Sequence, residues 1–333
     1  MFNNAILYRI DPTWVMPHIP AIEEALGAAR FTHCGPTQTE SFGWVEPRGE
    51  KNAPLIEKVG NHFVVALRTE VRSVPASAVK EMLESRVAKI LEETGRKPGT
   101  KQKKELKEEI TLELLPRAFT KTSITKLWID PEAKTLVVGA GSASKADKVT
   151  SSLIHSFSVA DSGLSLHLIG TNTSPSTAMS GWLSTQEAPY NFSVDRECEL
   201  KLPDSERSAV RYSRHALEID EVVEHIRQGK VATQLAMTWN SRVSFVLTDT
   251  MLVKKIEFLD VVMDGKAKGA DGGFEADVAI AAGELSKLIP DLLEALGGEL
   301  PSVHVAVVTA SAKDETAPSV GTVAQPEAEV EAA

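Results

Sequence analysis

Residues 231–258 constrain this chain most. Val231, Leu235, Met237 and Trp239 alternate with Ala232, Gln234, Ala236 and Thr238; Val243, Phe245 and Leu247 repeat the pattern, and Ile256 and Phe258 follow. A period of two sends successive side chains to opposite faces, so three such runs with short turns predict an antiparallel meander with one buried face. A helix bearing Ile219, Val222, Val223 and Ile226, closed by Gly229, is expected just before it.

The N-terminal half carries weaker versions of the same signal. Residues 4–10 and His62–Arg68 read as strands, with a helix around Ile19–Ala29 and a Gly-, Pro- and Thr-rich loop over 32–49 between them. Ile124–Asp130 and Thr135–Val138 form a predicted hairpin, followed by a helix through Ala146, Val149, Leu153 and Phe157. Residues 171–176 read as a polar stretch, with less regular sequence to about Pro203. The last helix, from Val278 to Leu296, contains Pro290, which removes a backbone donor and predicts a kink or split near Ile289. The expected fold is α+β: antiparallel sheets with flanking helices and a protruding helical hairpin. Residues 1–74 with 117–170 make a central domain, 75–116 the hairpin, 171–309 a C-terminal domain, and 310–333 a disordered acidic tail with five acids and one lysine.

The hairpin is where charge becomes informative. Between Arg86 and Lys107 stand eight basic residues, Lys97 among them, and three acidic ones, so the segment is net +5. The whole chain has 36 Lys and Arg against 46 Asp and Glu, a net charge of −10. That balance excludes a uniformly basic binder but not a local basic surface. Further basic groups are Arg117 and Lys121, Arg211 and Arg214 with His215, Arg227 and Lys230, and Lys254-Lys255. They suit either a solvated, ion-paired face or a track for phosphates held by counterion release.

Catalytic chemistry finds little support. Gly139-Ala140-Gly141-Ser142-Ala143-Ser144 sits between a strand and a helix as a dinucleotide loop would, but its third glycine is Ser144. Asp130, Glu132 and Lys134 are spaced loosely like a Mg²⁺ nuclease site, yet Asp-Pro between strands is turn chemistry. There is no P-loop, no nucleophile elbow and no paired-histidine metal helix. Cys34 and Cys198 can build neither a disulfide framework nor, alone, a zinc site. No catalytic residue, metal or cofactor is expected. A start without a charged and apolar leader, and no run long enough to span a membrane, favour a cytoplasmic protein.

Several blocks together are more specific than any of these motifs: Phe31-Thr32-His33-Cys34-Gly35 with Gly43-Trp44-Val45, Leu114-Leu115-Pro116-Arg117-Ala118-Phe119, Trp128-Ile129-Asp130, Glu224 through Thr233, Gly283-Glu284-Leu285, and Glu294 through Glu299. With them, from about residue 5 to 299, the chain resembles the RdgC family of recombination-associated DNA-binding proteins. The match thins between Ser158 and Val210, and residues 300–333 extend past the family's usual end. The resemblance implies a nucleoid-associated homodimer that closes as a ring around double-stranded DNA, binds it without sequence preference and restrains the RecA recombinase. It implies an apolar dimer contact at Phe119, for which a core aromatic is the plain alternative. It also implies phosphate contacts by Arg117, Lys121, Arg211 and Arg214, to which the basic residues Lys97, Arg227 and Lys230 are added. A Mg²⁺-dependent nuclease and a scaffold for acidic protein partners stand as rival readings. The acidic tail would compete with DNA for the ring's passage.

Overall fold

Alternation along one short strand sets the architecture. All four residues of Thr135–Val138 are buried, with Val138 in one hydrophobic core and Val137 in another. A strand covered on both faces needs a layer of helices on each side of the sheet.

The computed structural model describes residues 2–203, 205–263 and 273–301. Chain order runs β1 (Asn4–Ile10), α1 (Ile19–Ala28), β2 (Glu40–Val45), β3 (Ile56–Val59), β4 (His62–Arg72), α2 (Ala76–Thr94) and α3 (Thr100–Leu114). A 3₁₀ turn, Leu115–Arg117, leads into β5 (Thr120–Asp130), β6 (Thr135–Val138), α4 (Ala143–Val159), β7 (Leu166–Leu168) and α5 (Pro175–Thr185). Then come β8 (Phe192–Leu202), β9 (Ser205–Ser213), α6 (Asp220–Arg227), β10 (Val231–Trp239), β11 (Val243–Thr248), β12 (Val253–Phe258), α7 (Asp260–Met263) and α8 (Gly273–Ala295). The twelve strands form one sheet in the order β2-β4-β5-β6-β1-β12-β11-β10-β8-β9, with β3 beside β4 and β7 beside β1. Every pairing between these strands is antiparallel. Met1–Leu300 make one compact unit.

One core lies under α1 and α4, where Ile22, Leu26, Leu153 and Phe157 meet Val65, Leu127 and Leu136. The other lies under α5, α6 and α8, where Met179, Val222, Leu285 and Leu292 meet Leu235, Met237, Phe245 and Leu247. Two buried indoles find acceptors, Trp44 Nε1 donating to Ser156 Oγ at 2.9 Å and Trp14 Nε1 to Ser162 Oγ at 2.8 Å, while the buried Trp128 Nε1 has none among the described residues. Gly43 has a steric reason. A Cβ there would sit 2.5 Å from the Phe31 backbone, because β2 exchanges hydrogen bonds with residues 29–31.

Several expectations need correction. The loop over 32–49 holds β2, a strand with Gly43 at its centre and only two fully buried residues, which hides its alternation. The polar stretch and irregular region before Pro203 hold α5 and β8. Ser174 caps α5, Pro175 occupies its first turn, and the helix buries only Pro175, Ala178, Met179 and Leu183. β8 loses its period because its register against β10 shifts twice. Pro290 does not split α8, which runs unbroken to Ala295. The helix tolerates it because Pro290 is exposed while Ile289, Leu292 and Leu293 are buried. The proposed tail, 310–333, lies outside the described residues.

Candidate nucleic-acid interface

The start of β5 is held by an arginine clamp. Arg72, at the end of β4, donates through Nη1 to the carbonyls of Leu115, Pro116 and Ala118 and through Nη2 to that of Cys34. Four carbonyls on one guanidinium fix the turn between α3 and β5. Arg117, Phe119 and Lys121 all project from this fixed segment, and all are exposed. Phe119 is 92% exposed, so it is not a core aromatic. Neither Arg117 nor Lys121 has a carboxylate partner among the described residues.

Lys121 and Ser123 share one face of β5 by strand alternation. Onto that face the first turns of α4 bring two further lysines. Lys145 Nζ reaches Ser123 Oγ at 3.4 Å, while Lys148 pairs with Glu40 and lies over the Phe42 ring, 5.8 Å from its centroid. Glu40 stands in the same cross-strand row as Val71 and Lys121. Burial holds the Lys145 ammonium below its ordinary pKa. The first turn of α4 contains no acid, and Ser142 caps it by accepting from the Lys145 amide. Lys121, Lys145 and the positive end of α4 thus lie on one face, where Lys148 is paired with Glu40. Lys145 and Lys148 escaped the sequence reading. Their spacing of three on α4 was the available signal, but only the tertiary fold sets them opposite β5.

The other predicted residues fall elsewhere. Arg211 on β9 pairs with Glu199, which also takes Lys201 Nζ at 2.7 Å and Thr233 Oγ1 at 2.9 Å. Burial favours the neutral acid at Glu199, but these three partners overcome it and hold its pKa at about 2. Arg211's charge is therefore compensated within the protomer. Arg214 is exposed, at φ 57° in the loop after β9. Arg227 pairs with Glu224, and Lys230 Nζ contacts His225 Nδ1 at 3.1 Å. Lys97 is exposed between α2 and α3. These helices each bury one residue, Val79 and Ile110, and are joined by Arg86 with Glu109 and Glu113. One protomer does not gather the candidates into a single surface: Arg117 lies in the turn before β5 and Lys121 on β5, Lys97 at the far end of the helix pair, and the remainder around β9 and α6.

The two enzyme-like motifs resolve into local structure. Asp130 Oδ1 accepts from the amides of Glu132 and Ala133, an Asx turn. Glu132 accepts from Asn61 Nδ2, and Lys134 Nζ turns away to the Trp14 carbonyl. At Gly139 a Cβ would lie 2.9 Å from Phe2 Cδ1 and 3.0 Å from the Lys126 carbonyl, so the small residues there serve close packing. No group of metal-ligating side chains occurs among the described residues. No described helix is long and apolar enough to cross a membrane.

Fold and site together define a mixed α/β protein with a large antiparallel sheet, eight α-helices among the described residues, and a lysine cluster at the foot of a helix pair. The family model described as "RdgC: Putative exonuclease, RdgC" matches residues 1–299, and the chain belongs to that family. It is similar to the Recombination-associated protein RdgC of Cupriavidus pinatubonensis, 42% identical over 301 residues, and to that of Dechloromonas aromatica, 40% identical over 305. The protein of that name from Bordetella pertussis is 39% identical over 303 residues. Each alignment covers 90% of this chain and 98% of the relative.

Proposed function

We propose that this chain is a sequence-independent double-stranded-DNA-binding protein of the nucleoid that acts without cofactor or catalysis. Two copies enclose the duplex in a basic passage, with Phe119 at the dimer contact and the helix pair reaching outward. By occupying DNA the dimer restrains RecA-dependent recombination. The observation that carries this reading is the Lys121–Lys145–Lys148 cluster with unpaired Arg117, in a chain of net charge −10. Arg117, Lys121 and Lys145, left without carboxylates among the described residues, suit phosphates, which supply affinity without reading bases. The name shared by the relatives, recombination-associated, supports the setting.

The test is the binding of random-sequence duplex measured across ionic strength. Replacing Arg117 or Lys121 with Ala should weaken all sequences alike and lower the log–log salt slope by roughly one each. An unchanged slope removes that residue. The family description points to the nuclease alternative, so the same protein is incubated with end-labelled duplex and Mg²⁺. Shortened strands would overturn the non-catalytic reading. Salt-independent or undetectable DNA binding would favour the scaffold.

A further inference from the structure

Between the C-terminal half of α8 and the β5–β6 turn lies a cleft of about 530 Å³, within the size range of small-molecule sites. Ile289, Pro290 and Leu293 form an apolar wall, and Trp128 contributes from the sheet. The charged residues at the cleft are Arg9, Asp130, Glu294 and Glu299, a sum of 1 − 3 = −2.

Its hydrogen-bonding capacity is one-sided. Arg9 commits Nε and Nη2 to Glu299, and Nη1 to the Ala133 carbonyl at 2.7 Å and the Thr135 hydroxyl at 2.6 Å. That uses four of its five N–H groups. The Thr135 hydroxyl donates to the Ala133 carbonyl and that of Ser286 to the Gly283 carbonyl. The Trp128 indole nitrogen is sealed from the surface. Acceptors, in contrast, remain open. Pro290 has no N–H, so the Ser286 carbonyl lacks its donor four residues on. Asp130 uses Oδ1 for the turn, leaving Oδ2, which stands 3.6 Å from His62 Nδ1. Glu294 is exposed, with no partner among the described residues.

We propose that this cleft binds a small organic cation, an amidinium, guanidinium or ammonium on an apolar body. The body lies against Ile289 and Leu293, and the donors go to Glu294, Asp130 and the Ser286 carbonyl. The site is separate from the DNA surface and does not depend on it.

Benzamidine is the probe and benzoate, its charge-reversed counterpart, the control, with calorimetric titration of the full chain. Saturable benzamidine binding, at least tenfold tighter than benzoate, is the expected result. Glu294→Gln, at an exposed position, should weaken it about tenfold, the scale of one charge-assisted hydrogen bond. Ser286→Phe should abolish it by filling the cleft. DNA affinity should be unchanged in Glu294→Gln, which separates this site from the proposed function. Absence of saturation at ~10 mM benzamidine, equal binding of benzoate, or full affinity retained in Glu294→Gln would each overturn the proposal.

Discussion

Truncating Phe119 to Ala separates the two roles an aromatic can have here. In the protomer 92% of Phe119 is exposed, so almost none of its burial contributes to protomer folding. Removing a core Phe costs about 3–5 kcal/mol; removing this one should cost the protomer a few tenths. Burying a Phe side chain fully contributes about 2–3 kcal/mol. In the proposed dimer a twofold contact would place it on both copies, so the substitution should cost that dimer about 4–6 kcal/mol at the contact. That corresponds to roughly a thousand- to twenty-thousand-fold in dissociation constant. If a second contact holds the copies together, the loss appears as an opened dimer of unchanged mass and lower sedimentation coefficient. Sedimentation velocity and equilibrium over a concentration series read both outcomes, with thermal unfolding alongside. A Phe119→Ala profile superimposable on wild type would refute the interface role. A protomer destabilised by several kcal/mol would show that the side chain packs where the structure leaves it free.

Two further expectations concern the fold. Glu199 is buried and its pKa is depressed to about 2, so it stabilises the protein fully above the unfolded carboxylate pKa of roughly 4.3. That contribution is lost as pH falls from there towards 2, and Glu199→Gln should flatten stability across this window in denaturant titrations. A wild-type pH profile unaltered by Glu199→Gln would contradict it. Gly43→Ala drives a Cβ into the Phe31 backbone at 2.5 Å, so β2 must shift. A loss of about 1–3 kcal/mol by chemical denaturation is expected, and a neutral substitution would show that β2 has slack.

Much of the fold was legible because periodicity was strong where one face is buried. β10, β11, α4 and α6 carry their apolar residues at strand or helix spacing, and the structure has them there. β2, α5 and β8 were illegible for separate physical reasons: a required glycine, a helix with only four buried residues, and a strand slipped by bulges. The site was legible only in part. Arg117 and Phe119 stand in one specific block of sequence, with Lys121 two residues beyond it. Lys145 and Lys148 acquire meaning through their position across from Ser123 and Glu40, which no local pattern contains. Arg211 looked free in sequence because Glu199 lies twelve residues away, on the neighbouring strand.

The sheet passes from one half to the other where Asn4 and Ala5 of β1 meet Lys254 and Val253 of β12. β1 thus meets β12, the last strand in chain order among the described residues, only after the ten strands between them have been made. Its neighbours β6 and β7 arrive much earlier, so the N-terminal layers can assemble while only the Asn4–Ala5 end of β1 waits for β12. Closure of that end is the long-range step expected to be slow. Until it happens, a nascent molecule offers an open strand to any other chain nearby.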